Sequence, residues 1–310
     1  MTLFMRKTVI AVKKETTYGT DSTPTGAEAF LVKNATLTPI AGDSAARDLI
    51  RPYFGNSETI QLNSHAELKF EVEFQSSGTA GTAPAFKDAL KACGFAETVT
   101  AGSKVEYLPV SASFDSVTID FYLDGVMHQL TGARGTVSLS VQRGQIPSLS
   151  FSFWGRYNTP TDAALISPTY SGFKTPIGPN STNTPTVTLH SAALVMESLS
   201  LDVANNMVFR DLPGGASAAL ITDRKPTGSI SFEAGLIATK NWFEIAKATT
   251  LGALQVVHGT AAGYICQIDA PNVQIQQPAY ADSDSIAMIN TNLALIPGSS
   301  GNDELKLTFK

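Results

Sequence analysis

Apolar and polar residues alternate without interruption between Ser64 and Phe74. The apolar positions are Ala66, Leu68, Phe70, Val72 and Phe74, and the charged positions between them are Glu67, Lys69, Glu71 and Glu73. Side chains of a β-strand point to opposite faces with a period of two. The segment therefore predicts a half-buried strand with one apolar face and one mainly acidic face.

A loop of small residues (78–82) separates this strand from a predicted helix over residues 84–93. Pro84 suits the first helical turn because its φ is already helical, and Gly94 suits the left-handed conformation that ends many helices. Phe86, Leu90 and Cys93 form one apolar stripe. A helix this short is unstable alone in water, so we expect it to lie on a sheet.

The same strand-and-helix unit recurs later in the chain. Residues 229–236 predict a strand around Ile230 and Phe232, and residues 240–249 predict a helix. The apolar residues of this second helix are Trp242, Phe243 and Ile245. A repeated unit at this spacing indicates internal duplication.

Three short landmarks support the duplication because they recur in the same order. Leu31-Val32 and Arg47-Asp48-Leu49 are matched by Leu194-Val195 and Arg210-Asp211-Leu212, displaced by 163 positions, and Phe70-Glu71 is matched by Phe232-Glu233, displaced by 162. One match could arise by chance. Three matches with nearly one displacement predict two related domains.

Further alternating stretches predict an antiparallel sheet in each domain. Their ranges are 30–38, 105–110, 117–123, 126–130, 137–141, 149–153, 273–275, 286–296 and 305–309. Asp124-Gly125 between two of them is a strong hairpin signal. The predicted fold is mainly β (α+β), with two similar antiparallel β-sandwich or rolled-sheet domains, each flanked by one short helix.

Composition divides the chain into four predicted segments. Residues 1–28 are mostly polar and predict an N-terminal arm that is loose or lies on a neighbour. Residues 29–155 form the first domain and residues 187–310 the second. Between them, residues 156–186 contain five prolines among Thr, Ser and Asn, which predicts a linker because proline cannot donate to a ladder.

Low charge is the most unusual feature of the composition. Only 16% of the 310 residues are charged, and the net charge is −5, against about 25% charged residues in typical soluble domains. Such a chain is expected to cover much of its surface with partners, and its acidity argues against a surface that grips nucleic acid. No apolar run is long enough to span a membrane, and Cys93 and Cys266 are expected to be buried free thiols. We expect a soluble protein made in the cytosol.

Catalytic and metal-binding patterns are not found in the sequence. His65, His128, His190 and His258 occur singly, and a hydrogen-bonded structural role is expected for those in strands. The segment from Asp282 to Ser285 resembles the start of a calcium loop but lacks its glycine and final glutamate, so a polar turn is expected. We expect no cofactor and no enzymatic activity. A β-rich hydrolase and a host-attachment or glycan-binding protein remain as alternatives.

The long segment 40–63 and the repeated Arg-Asp pairs are candidates for contacts between subunits. A loop of this length in a compact domain is usually functional. The candidate residues are Arg47, Asp48, Arg51, Arg210 and Asp211. A local salt bridge or turn is the alternative interpretation, since such pairs contribute little at a surface. The acidic strand face is likewise either a solvated outer face or a functional one.

Four motifs, in this order, resemble the major tail tube proteins of long-tailed bacteriophages. They are Glu15-Thr-Thr-Tyr-Gly-Thr-Asp-Ser-Thr-Pro-Thr-Gly, Arg51-Pro-Tyr-Phe-Gly55, Ala83-Pro-Ala-Phe-Lys-Asp-Ala-Leu-Lys-Ala-Cys-Gly94 and Asp303-Glu304-Leu305. The resemblance implies a β-sandwich or rolled sheet flanked by a helix, and rings that stack into a tube through which DNA passes. Many members have one such domain and form hexameric rings. A duplicated domain implies a trimeric ring with pseudo-sixfold symmetry, although in other members the additional domain is a surface decoration.

The resemblance also implies partners and a location. The partners are further copies of the chain, the tape measure, tail terminator and distal tail proteins, and passing DNA that is not tightly bound; no membrane is involved. The protein would be assembled in the host bacterial cytoplasm and reside in the virion tail. The sheet face opposite the helix would line the lumen, with Glu67, Glu71, Glu73 and Glu233 keeping it net negative.

Overall fold

The computed structural model describes residues 2–310, and β-strands dominate it, which confirms the predicted fold class. Among these residues there are two α-helices, α1 (Lys87–Ala92) and α2 (Trp242–Lys247), and one short 3₁₀ turn at Gly26–Glu28. We refer to residues 2–162 as the first half, to 163–185 as the connecting segment and to 186–310 as the second half.

Each half contains a series of antiparallel strands. In the first half they are β1 (Thr8–Lys14), β2 (Ala29–Phe30), β3 (Lys33–Ala41), β4 (Ser44–Ala46), β5 (Thr59–Gln61), β6 (His65–Glu73), β7 (Phe95–Thr100), β8 (Lys104–Pro109), β9 (Val117–Leu123), β10 (Val126–Gln142), β11 (Ser148–Tyr157) and β12 (Thr161–Asp162). In the second half they are β13 (Thr186–Leu189), β14 (Ala192–Ala193), β15 (Met196–Asp202), β16 (Asn205–Arg210), β17 (Ala218–Arg224), β18 (Thr227–Glu233), β19 (Leu251–His258), β20 (Cys266–Ser283), β21 (Ile286–Leu295) and β22 (Lys306–Phe309).

The strands of the two halves pair in the same order. In the first half the order is β1–β9–β10–β11–β6–β3. In the second half it is β13–β19–β20–β21–β18–β15. Each half also places a two-stranded hairpin at the same point, β4–β5 between β3 and β6 and β16–β17 between β15 and β18. The β7–β8 hairpin is an addition to the first half, since α2 is followed directly by β19.

One sheet runs across both halves because β10 pairs with β15. Its strand order is β3–β6–β11–β10–β15–β18–β21–β20, and we refer to it as the joint sheet. The junction runs from Ser138 opposite Asp202 to Gln142 opposite Ser198. Leu199 and Leu201 are buried there, so the junction contributes to the hydrophobic core.

The two helices cover the apolar side of the sheets as the sequence predicts, but both are shorter than expected. Phe86, Leu90 and Cys93 are fully buried, and Trp242 packs against Phe232 at 5.1 Å between ring centroids. The first helix begins at Lys87, not at Pro84, because the Lys87 amide donates to the Pro84 carbonyl in a preceding turn (3.1 Å). Gly94 ends the helix with φ +83°, the left-handed conformation that favours glycine.

Much of the segment predicted as an N-terminal arm, residues 1–28, packs within the first half. Strand β1 pairs with β9 along its whole length and with β2, and Ile10, Ala11 and Val12 are almost completely buried. The Glu15 carboxylate is also buried, and it accepts hydrogen bonds from the Gly19 and Gly132 amides, both at 2.7 Å. The segment is ordered by its own half because β9 and Gly132, which are distant in sequence, pair with its backbone and satisfy its buried carboxylate.

The connecting segment has neither helix nor strand, in keeping with its prolines. It lies on the first half, where Ile166 and Tyr170 pack against a small cluster that includes Val9 and Tyr122. The C-terminal strand β22 pairs both with β20 of its own half and with β8 of the first half. The two halves therefore share sheet and core.

Candidate functional site

The predicted Arg-Asp pairs lie at the tips of the two equivalent hairpins. Arg47 and Asp48 follow β4, whereas Arg210 ends β16 and Asp211 begins the turn after it. All four side chains are exposed, as is Arg51. The Arg47 guanidinium donates to the Glu58 carboxylate at 2.7 Å across the first hairpin. The structure thus brings each pair to an exposed projection but does not bring the two pairs together.

The predicted acidic residues lie on the polar face of the joint sheet. Glu67, Glu71 and Glu73 project from β6 opposite to the buried side chains of Leu68 and Phe70. Lys33 forms an ion pair with Glu73 at 2.5 Å, and His65 contacts Glu67 at 3.3 Å. The Lys33–Glu73 ion pair therefore neutralises part of the negative charge along β6.

Glu233 occupies the corresponding position on β18, opposite to Ile230 and Phe232. The strands between β6 and β18 present mainly hydroxyl groups on the same side, with Ser150 of β11 paired beside Glu71 and Ser138 of β10 paired beside Ser150. The polar face is thus a broad surface rich in serine, threonine and asparagine, and its acidic residues are isolated among these uncharged groups. Sequence periodicity within single strands does not show this continuity.

The hairpin β16–β17 packs on the first half through contacts that sequence reasoning missed. The Asn205 side-chain amide donates to the carbonyl oxygens of Cys93 (2.8 Å) and Gly135 (2.9 Å). Phe209 stacks on His65 at 4.8 Å between ring centroids. The Ala219 carbonyl accepts a hydrogen bond from the Arg134 guanidinium at 3.2 Å. The hairpin is therefore held to the first half by a wide set of polar and aromatic contacts.

The hairpin β4–β5 has a different environment although its position in the fold is equivalent. Residues 42–62 are almost all exposed, and the large apolar side chains among them are Leu49, Ile50, Tyr53, Phe54, Ile60 and Leu62. A cluster of exposed apolar side chains in a single loop is typical of an interaction surface. This segment is the strongest candidate for a contact with another molecule.

His190, His258 and the two cysteines are held in structural positions, whereas His128 makes an edge contact with the Phe121 ring. His190 bonds to the Val273 carbonyl at 2.9 Å, and burial lowers the pKa of its imidazole. Burial also raises the pKa of the Cys93 and Cys266 thiols, which are free and buried as expected. In residues 2–310 no three His, Cys, Asp or Glu side chains form a group suited to a metal ion. Asp284 instead pairs with Arg143 at 3.0 Å in an exposed turn.

The comparison with protein families agrees with this architecture. A family model described as phage tail tube protein matches residues 5–292. The chain belongs to the phage tail tube protein family. No curated protein matches the chain.

Family membership gives the protein a structural role in the virion tail. The resemblance predicted from the four motifs is therefore confirmed. None of the helices in residues 2–310 has both the length and the apolar character needed to cross a membrane. As a tail tube protein, the chain functions through self-assembly with other copies.

Proposed function

We propose that this tail tube protein forms rings of three chains, each chain supplying two equivalent units, and that the rings stack into the tube through which DNA leaves the capsid. The observation that carries the proposal is the identical pairing order of the strands in the two halves. Because each chain has two such units, a ring of three chains contains six units. Closed cyclic symmetry is the usual outcome for homo-oligomers. On this proposal, residues 29–155 and 187–310 are the two tube domains.

The polar face of the joint sheet would line the lumen. A conduit for DNA must avoid contacts between Lys or Arg and phosphate, because each one adds affinity through counterion release. Hydroxyl and amide groups carry no charge, and Glu67, Glu71, Glu73 and Glu233 give this face a net negative potential that repels the polymer. Lys69 is exposed on the same face and makes the potential uneven.

The hairpin tips would make contacts between stacked rings. Arg47, Asp48, Arg51, Arg210 and Asp211 are exposed at two equivalent projections. Arginine suits contacts to the carboxylates and carbonyl groups of a neighbouring ring. The first and last rings of the tube would meet the distal tail and tail terminator proteins, and the lumen would enclose the tape measure protein during assembly in the host cytoplasm.

Electron microscopy of the purified protein tests the proposal. Concentrated protein should form tubes, and averaged end views should show six similar lobes contributed by three chains. Mass measurement of isolated rings would give the number of chains. Rings of six chains would contradict the pseudo-sixfold arrangement while leaving the tube intact, and a protein that stays monomeric at high concentration would contradict both.

A further inference from the structure

The junction between the two halves consists of two parts that act together. Strand β15 extends the first-half sheet by pairing with the end of β10, and the hairpin that follows it, β16–β17, packs on the first half beside that pairing. Two further backbone bonds flank the paired residues, from Val203 to Val137 (3.1 Å) and from Arg143 to Glu197 (2.9 Å). The second half thus attaches to the first by one strand edge and one hairpin.

The equivalent edge of the first half is unpaired in the single chain. Strand β3 corresponds to β15, and it pairs only with β6 among the described strands. Leu37 of β3 is equivalent to Leu199 of β15, because Leu37 lies opposite Leu68 and Leu199 lies opposite Ile230. Leu199 is only 1% exposed, whereas Leu37 is partly buried. Ile40, nearby on the same strand, is exposed as well. An unpaired strand edge is a template for pairing with another chain.

The receiving edge of the second half is unpaired too. The last part of β20 corresponds to the last part of β10, and within residues 2–310 it pairs with β21 alone. Tyr280 of β20 corresponds to Val137 of β10. Tyr280 lies opposite Ile289 of β21, and Val137 lies opposite Phe151 at the equivalent position of β11. Val137 is 3% exposed and Tyr280 is 61% exposed. The side chain of Tyr280 is therefore uncovered where its counterpart is covered by β15 and its hairpin.

A cleft lined mainly by the second half, and also by Ser111 and Phe114 of the first half, corresponds to the site that β16–β17 occupies on the first half. On the first half, His65 stacks on Phe209, and the Arg156 guanidinium donates to the Ser217 carbonyl at 2.6 Å. Their counterparts by strand register are Thr227 and Ala294. Both line an open cleft of about 790 Å³ together with apolar groups such as Leu295 and Ile296.

We propose that β3 and the β4–β5 hairpin of one chain bind the second half of a neighbouring chain as β15 and β16–β17 bind the first half of their own chain. The partner is a second copy of this protein. Among the described residues, the second half lacks a strand and hairpin beside the end of β20, and the first half exposes an unpaired strand and hairpin of the same kind, β3 and β4–β5. The exposed apolar residues of segment 42–62, including Ile50 and Phe54, would enter the cleft on the neighbour. This inference rests on the proposed ring and specifies the contact that closes it.

The internal junction also specifies the register of the proposed pairing. Ser140 lies opposite Ser200 in the chain. Ser283 corresponds to Ser140, because each forms the last pair before the hairpin turn that follows its strand. Thr38 corresponds to Ser200, because their partners on β6 and β18 occupy equivalent positions. Thr38 of one chain is therefore placed opposite Ser283 of the next. Ala41 is placed opposite Ala281, because the register shift in β3 adds one residue between Thr38 and Ala41.

Pro39 keeps this pairing short. It lies at a register shift of β3 between Thr38 and Ala41, and it has no amide hydrogen to donate. Proline at an edge strand or bulge is the usual protection against unspecific pairing of strand edges. The hairpin contact would then be needed together with the strand contact, so that an unrelated strand without the hairpin binds poorly.

Engineered disulfides test the register. The double variant Thr38→Cys with Ser283→Cys should form covalent multimers in assembled tubes under mild oxidation, because directly opposed residues of an antiparallel pair have suitable Cβ separations. Ser140→Cys with Ser200→Cys is the matched positive control, and it should close within one chain and give no multimers. Thr38→Cys with Asn290→Cys moves one cysteine to the adjacent strand and should stay uncrosslinked. Cys93 and Cys266 are buried and should not interfere.

Hydrogen exchange on the unmodified protein gives a second measurement that needs no substitution. Amides in residues 36–41 and 280–283 should become protected when rings form, whereas amides in the internal junction, 138–142 and 198–202, should already be protected in the monomer. Tubes with neither crosslinking nor new protection at these segments would overturn the inference and leave the proposed function standing. Absence of any rings or tubes would instead overturn the proposed function and the inference together.

Discussion

The ring of Phe309, in the last strand of the chain, lies 5.8 Å from the ring of Phe86, which immediately precedes α1. Phe74 and Tyr107 of the first half also contact Phe309, each at 5.7 Å between centroids. The C-terminal strand thus completes the core beneath the first helix. The two halves are therefore expected to unfold together and not as independent domains.

Replacing Phe309 tests this dependence. Phe309→Ala should lower the free energy of unfolding by about 3–5 kcal/mol, because it removes a fully buried aromatic side chain and leaves a cavity. Chemical denaturation would measure the change and should show one transition in the parent protein. Val99→Ala, at an exposed position of β7, is the control and should change the free energy by less than about 0.5 kcal/mol. A separate early transition with an unchanged second one would contradict the shared core.

Asp120 is expected to make stability depend on pH. The pKa of its carboxyl group is raised to about 6, mainly by burial and also by the nearby Asp21, although hydrogen bonds from Gln129 and Tyr122 oppose the shift. The unfolded chain has a pKa of about 3.9, so the folded state binds the proton more strongly and stability falls as pH rises from about 4 to about 6.

Asp120→Asn should remove this contribution. The free energy of unfolding at neutral pH should rise relative to the parent, by up to about 1.4 kcal/mol per unit of pKa difference, and the slope between pH 4 and 6 should flatten. Denaturation at several pH values would measure it. Asp43→Asn, at an exposed position, is the comparison and should leave the slope unchanged. An unaltered slope in Asp120→Asn would show that another group controls the pH dependence.

The apolar residues of segment 42–62 should matter for assembly and not for the fold. Ile50 and Phe54 are fully exposed in the single chain, so Ile50→Ser with Phe54→Ser should leave the melting temperature of the monomer unchanged. Ring formation should fail because the apolar area available for burial is lost. Sedimentation analysis would measure it. Leu236→Ser, an exposed apolar residue outside this segment, should assemble normally.

The two hairpin tips should control tube growth. Arg47→Ala combined with Arg210→Ala should leave the fold intact, with a stability change of less than about 0.5 kcal/mol, because both side chains are exposed. Rings should still form, but their stacking should slow or stop. Light scattering and electron microscopy would follow the growth. Lys87→Ala with Lys247→Ala removes two exposed charges on the helices and is the control. Normal tubes from the arginine variant would show that the tips do not make the stacking contact.

Charge reversal on the polar face should affect DNA passage. Glu71→Lys, Glu73→Lys and Glu233→Lys together should permit assembly but slow ejection, because the new cations would bind phosphate and release counterions. The defect should weaken as salt rises. Ejection from virions carrying the variant would measure it. Glu244→Lys on α2 lies away from the polar face and should eject DNA normally; equal behaviour of the two variants would place the acidic residues outside the lumen.

Local pattern predicted several elements correctly for physical reasons. The period of two over Ala66 to Phe74 identified both faces of β6, since each buried side chain there alternates with one on the polar face. Asp124-Gly125 predicted the β9–β10 hairpin, where Gly125 has φ +113° and Asp124 also has a positive φ. Each of these signals is contained in a few neighbouring residues.

The segment predicted as an arm, residues 1–28, shows why other features were missed. The apolar run in β1 is short, and nothing beside it in the sequence indicates that β9 lies alongside. Its polar neighbours suggested an arm because the partners of Glu15, among them Ser116 and Thr118, are about a hundred positions away. Burial of that carboxylate depends on groups that only the folded chain brings together.

The sequence by itself determined the fold class, the duplicated pattern and the residues that project from each strand. The tertiary structure decided how the halves are joined: β10 with β15, β8 with β22, and the β16–β17 hairpin on the first half. Side-chain periodicity records which face of a strand is buried, because burial follows the local alternation of apolar residues. Backbone edges have the same donors and acceptors in every strand, so the choice of partner depends on the packing of distant segments and cannot be determined from local pattern alone.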